Sequence, residues 1–170
     1  MKWKEVKLYN VIFPIWLVLF SPPVIFISLI GNFLIDSIVI LVCFYLFKIS
    51  KLYFGVKDFY NNSIGKVWLF GFLSDFIGML VLLAVTFLDG VFFDYYELAS
   101  AISYDPFSHP LAVVIIVFAM GVASFFIYWF NHKYTFKHII PDIKVRRRVS
   151  ITIAIMTLPW TYLLPTKWFF

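Results

Sequence analysis

Two carboxylates sit inside otherwise apolar runs of the chain: Asp36 in FLIDSIVILV and Asp75 in FGFLSDFIGML. An Asp at the centre of a membrane helix costs roughly 2.5–3.5 kcal/mol to insert, so such a group faces protein or water and not lipid. At about 1.5 Å of rise per residue, Asp75 lies about 14 Å beyond Lys66 and Asp36 about 18 Å before Lys48. Both carboxyls therefore approach the midplane, where they could share a proton or a cation. Counted from Gly31 instead, Asp36 is only about 8 Å below the opposite surface, where it could cap or snorkel. Neutral ligands occur at similar depth. Ser21-Pro22-Pro23 interrupts the first apolar run, and its prolines free the carbonyls of Val18 and Leu19. In the last run Thr157 and Pro159 lie at about 14–17 Å. A broken helix facing mid-depth carboxylates is how transporters build cation or substrate sites. The expected set is Asp75 as main carrier, Asp36 as its partner, and Ser21 and Thr157 as neutral ligands.

Helical spacing gathers these positions. Gly71, Ser74, Asp75 and Gly78 recur at i, i+3, i+4 and i+7. Ser150, Ala154, Thr157 and Thr161 form a second stripe, and Asn32, Asp36 and Cys43 share a face. Stripes of small residues are also how membrane helices pack, without any ligand. Other groups offer less. His109, Asp105 and Glu97 lack a metal-ligand spacing, and no metal or cofactor is expected. His132 and His138 lie in a basic loop suited to headgroup contact. Arg146, Arg147 and Arg148 anchor topology and could hold anionic lipid. No hydrolase or transferase signature occurs, so no catalytic residue is assigned and the reading leans away from an enzyme. The run Phe130-Asn131-His132-Lys133-Tyr134-Thr135-Phe136 resembles the aromatic-Asn-basic-aromatic signature of GtrA-like proteins, small four-span proteins implicated in moving lipid-linked sugars. That resemblance covers seven residues and implies a lipid-linked substrate.

The elements that must position these groups follow from composition. The chain has 170 residues, 63% hydrophobic, 22% aromatic and 14% charged. Soluble domains are near half apolar and a quarter charged, so the chain reads as an all-α polytopic integral membrane protein in one domain, 1–170. Five runs reach helical span length: 11–30, 33–47, 67–88, 111–130 and 149–165. The N-terminal run resembles a signal peptide but lacks a small-residue cleavage site, so it is expected to stay as the first helix. Spans one and two are expected to form a hairpin at Gly31-Asn32. The alternative is one long helix from Val24 to Phe47 after a re-entrant piece from Val11 to Ser21. Charge favours the hairpin, because it keeps Lys2, Lys4 and Lys7 on the basic side.

Of the fourteen Lys and Arg, all but Lys167 then fall on one side, which is the positive-inside pattern and not a nucleic-acid footprint. The N-terminus is cytoplasmic and the C-terminus external. The loop from Asp89 to Pro110 has no Lys or Arg and is external. Within it Phe92, Tyr95, Tyr96, Ala99 and Ile102 predict a short amphipathic helix on the membrane. Richness in Phe, Ile and Lys suggests a bacterial inner (plasma) membrane. Expected partners are the lipid bilayer and other membrane subunits or a homo-oligomer. The functional expectation is a small transporter or channel-like protein, or a membrane subunit of a larger complex, with a midplane polar site around Asp75. The alternative is a membrane-embedded enzyme or flippase-like protein acting on lipids or lipid-linked substrates.

Overall fold

A computed structural model describes residues 14–18, 24–51, 55–89 and 96–168. Among these residues the chain is helical, without strands. The elements are α1 (Ile15–Val18), α2 (Val24–Leu46), α3 (Val56–Leu88), α4 (Tyr96–Ser103), α5 (Pro110–Phe130) and α6 (Ile143–Met156). A π-helical turn, Asn131–Thr135, extends α5, and short 3-10 turns at Trp160–Leu163 and Thr166–Trp168 follow α6. Three helices are long and apolar enough to cross a membrane: α2, α3, and α5 with its extension to Thr135. They mark the chain as a helical membrane protein.

The expected hairpin at Gly31-Asn32 does not form; Val24–Leu46 is one uninterrupted helix. Gly and Asn inside a helix each cost at most about 1 kcal/mol. A tight turn within apolar sequence strands backbone groups at several kcal/mol each. The continuous helix is therefore cheaper. Ser21, Pro22 and Pro23 lie outside the described residues, as do Lys2, Lys4 and Lys7.

Two other boundaries move. Helix α3 starts at Val56 and not at Val67, so most of the expected inner loop is helix. Its buried positions Phe59, Ser63 and Val67 repeat every four residues, while Lys57, Asp58, Asn61, Asn62 and Lys66 are exposed. The expected span 149–165 is regular only as far as Met156. It begins early, at Ile143, because the Asp142 carboxylate accepts the N–H groups of Lys144 (2.7 Å) and Val145 (3.3 Å) as an N-cap. It ends early because Pro159 has no N–H to continue the ladder.

The short helix expected in the loop after α3 is α4, with Phe92 and Tyr95 outside the described residues. Its Ala101 and Ile102 are buried against Ala112 and Ile116, so this face meets the bundle and not a lipid surface. The C-terminal segment docks on the same loop. The Thr166 Oγ1 donates to the Ser103 carbonyl at 2.8 Å, and Lys167 pairs with Asp105 at 2.5 Å.

Helix α3 is the spine. Helix α2 runs beside its first half: Trp68 Nε1 donates to the Leu29 carbonyl at 2.9 Å, and Ser37 Oγ meets the Tyr60 hydroxyl at 2.9 Å. Helix α5 runs beside its second half, from the Phe70–Phe130 stack at 5.1 Å to the close approach of Gly78 and Ala123. Two apolar cores stack along this spine. One joins α2, the start of α3, the end of α5 and α6 through Ile40, Cys43, Phe59, Ile127, Phe136 and Ile153. The other joins the rest of α3 and α5 to α4 and Tyr162 through Leu82, Ile102, Ile116 and Ala119.

Candidate functional site

The site lies where the start of α2, the middle of α3 and the end of α6 converge. Asp36 is buried at 3% exposure on the inward face of α2, with Val39, Ile40 and Cys43. Gly71 faces it: a Cβ on Gly71 would stand 3.5 Å from Asp36 Oδ2, an ordinary van der Waals contact. Asp75 follows Gly71 by one helical turn, about 6 Å along α3. Asp36 and Asp75 line the same cavity. Asp75 is half-buried, and its Oδ1 is fully enclosed without a hydrogen-bond partner among the described residues.

The third wall is the break after α6. The Thr157 N–H and Oγ1 both donate to the Ile153 carbonyl, each at 2.9 Å. The hydroxyl proton is thereby used, and the oxygen keeps its lone pairs. Trp160 N–H turns back to the Leu158 carbonyl at 2.8 Å. With Pro159 lacking an N–H, the last carbonyls of α6, Ile155 and Met156, lose their helical donors. A helix C-terminus carries roughly half a negative charge, so this wall adds to the field of the carboxylates.

A cavity of about 390 Å³ occupies this junction, lined by Asn32, Asp36, Gly71, Asp75, Thr157 and Tyr162 among others. That volume falls at the small end of ligand pockets, about 300–1,000 Å³. Among the described residues, no Lys, Arg or His lines it. Of the four residues expected at such a site, Asp36, Asp75 and Thr157 share the cavity, and Ser21 lies outside the described residues.

The helix stripes divide between site and packing. Ser74 is buried and its hydroxyl bonds back to the Phe70 carbonyl at 2.6 Å. Gly78 seats α3 on α5. Ser124 crosses to the Ala154 carbonyl of α6 at 3.0 Å. Gly121 is exposed with nothing near it. Cys43 belongs to the other apolar core. Sequence reasoning missed Tyr162, whose hydroxyl donates to the Asp75 backbone carbonyl and ties the segment after Pro159 to α3. The available signal was a tyrosine within an apolar run, whose hydroxyl must find a partner when buried.

The remaining candidate groups are separate from this cavity. Arg147 and Arg148 are exposed, while Arg146 is half-buried and donates from Nη1 to the Lys137 carbonyl at 3.3 Å. His109 caps α5: its Nδ1 accepts the Leu111 N–H at 3.2 Å. Asp105 is engaged by Lys167. No family model, curated protein or solved structure matches the chain, so the likeness of Phe130–Phe136 to GtrA-like proteins has no support from comparison.

Proposed function

We propose that the protein is a small transporter or channel-like membrane protein that binds a cation, or a substrate bearing a cationic group, between Asp36 and Asp75. One observation carries this reading: two carboxylates on facing helices meet at one cavity whose lining, among the described residues, holds no basic side chain. Buried carboxylates need a counter-charge or a proton. Here the occupant supplies it. Asp75, with an unpartnered oxygen, is the primary ligand. Asp36 is the second carboxylate, and Thr157 and the Met156 carbonyl are neutral oxygen ligands.

The positive-inside pattern supports the membrane orientation. The α2–α3 and α5–α6 connections carry the Lys and Arg clusters and are proposed to be cytoplasmic. The α3–α5 connection is proposed to be external, with Lys167 neutralised there by Asp105. We assign the protein to a bacterial inner membrane on the same composition. In a Cys43→Ala background, an impermeant thiol reagent applied outside labels S100C and not N61C; the reverse would invert the topology.

The binding test uses the purified full chain in mild detergent, melted in sodium, potassium, methylammonium or bulky quaternary ammonium chloride at constant ionic strength. A bound cation at a hundred times its Kd stabilises by about 2.7 kcal/mol. One small cation is expected to stabilise the wild type over the quaternary ion, and D75N is expected to lose that difference. Equal melting in all four salts would refute cation binding.

A second reading, a membrane subunit of a larger complex, is favoured by the far half of α2. There Ile38, Tyr45 and Leu46 are more than 60% exposed. Co-elution of a stable membrane partner from its native source, lost on I38S/L46S substitution, supports that role.

A further inference from the structure

A second cleft, of about 280 Å³, opens between α3 and the π-helical end of α5, well away from the carboxylates. It is lined by Asn62, Lys66, Thr135, His138 and Ile139. Its chemistry is opposite to that of the first cavity: one ammonium, one imidazole, one amide and one hydroxyl, and no carboxylate among the described lining residues. Thr135 is 1% exposed, and its Oγ1 has no hydrogen-bond partner among the described residues. A buried unmade hydroxyl costs about 1–3 kcal/mol, so a group retained in that state at a cleft wall points to an occupant that completes it. The local backbone is unusual as well. Asn131–Thr135 is a π-helical turn, a form that costs regularity and recurs at functional sites. Without the extra residue of that turn, Thr135 would rotate away from α3.

We propose that this cleft binds a phosphate group. Lys66 supplies the charge, the Thr135 hydroxyl donates to one oxygen, and the Asn62 amide and His138 ring offer further donors. One Asn62 amide proton is already given to the Asp58 carbonyl at 2.8 Å, and the other remains for the ligand. Position fits a headgroup. Lys66 immediately precedes the apolar stretch of α3, and Thr135 closes the apolar span of α5. Both stand at the level where lipid phosphates lie. The exposed Lys133 and Lys137 flank Thr135 in sequence and strengthen the attraction. A free phosphate presents the same chemistry.

The full chain in nonionic detergent separates the two sources. Melting is followed with inorganic phosphate, with phosphatidylglycerol in mixed micelles, and with diacylglycerol of the same chains as the phosphate-free control. Saturable stabilisation by phosphatidylglycerol and not by diacylglycerol is expected. Equal efficacy of inorganic phosphate would assign the site to the free ion. K66Q and T135V are expected to weaken the apparent affinity at least tenfold. T135V without ligand is expected to melt at or above the wild type, because it removes an unpartnered hydroxyl. The proposal is overturned if neither phosphate source stabilises the wild type. It is also overturned if K66Q and T135V bind as tightly as the wild type. None of these variants touches Asp36 or Asp75, so cation binding at the first cavity stands or falls separately.

Discussion

Gly78 is the most closely packed of the described glycines. A Cβ there would lie 3.1 Å from Ala123 Cβ, 3.2 Å from the Ala119 carbonyl oxygen and 3.2 Å from Tyr162 Cε2. The first two belong to the α5 backbone or to its first side-chain atom and cannot swing aside. Gly78→Ala therefore forces α3 from α5 by a few tenths of an ångström and pushes on the Tyr162 ring. Overpacking of this kind costs about 1–3 kcal/mol, offset by up to about 1 kcal/mol of helix propensity. Gly121 is the internal control. It lies on α5, the partner helix, but nothing stands within 4 Å of its Cβ position. Gly121→Ala should keep the propensity gain and meet no clash. The expected gap between the two variants is about 1–3 kcal/mol, by the same overpacking scale. Reversible unfolding of both in mixed micelles measures it directly. Equal stability of G78A and G121A would refute the packing of α3 against α5 and Tyr162.

Other outcomes follow from single contacts. Lys48 ends α2 with φ of 50°, in the left-handed region that costs a side-chain-bearing residue about 1–2 kcal/mol. Lys48→Gly should therefore raise the melting temperature by about 2–4 °C for each kcal/mol regained. Ser124→Ala should cost more than Tyr162→Phe. The Ala154 carbonyl, at the end of α6, depends on Ser124, whereas the Asp75 carbonyl keeps its place in the middle of α3. Hydrogen bonds between membrane helices average about 0.6 kcal/mol and reach about 1.7, so S124A is expected near the upper value and Y162F near the mean. Equal losses in paired melts would contradict this ordering.

How much of this was legible in the sequence varies by element. Helix α5 was, because a uniform apolar run opens on Pro110 with His109 ready to cap it. The continuity of α2 runs against the charge argument from Lys2, Lys4 and Lys7, because backbone satisfaction across Gly31-Asn32 outweighs it. The early start of α3 was hidden by its polar face, although Phe59, Ser63 and Val67 already carried the helical period. At the site, Asp36 and Asp75 announced themselves as carboxylates in apolar runs. Their adjacency was not readable, since it depends on which helices pack together. Gly71, one turn before Asp75, was the trace of that contact. The break after Met156 was written in Pro159, but the return of Tyr162 to α3 is a tertiary event with no local signature.

The central claim is that Asp36 and Asp75 act as one site, and a double-variant cycle tests it most directly. Wild type, D36N, D75N and the double variant are melted with and without the stabilising cation, Asn keeping the size of each side chain. Groups that share one ligand are strongly non-additive. Either single substitution is therefore expected to remove most of the cation-dependent shift, with the double variant losing little more. Independent, additive losses, or a full shift retained by D36N, would contradict a shared site.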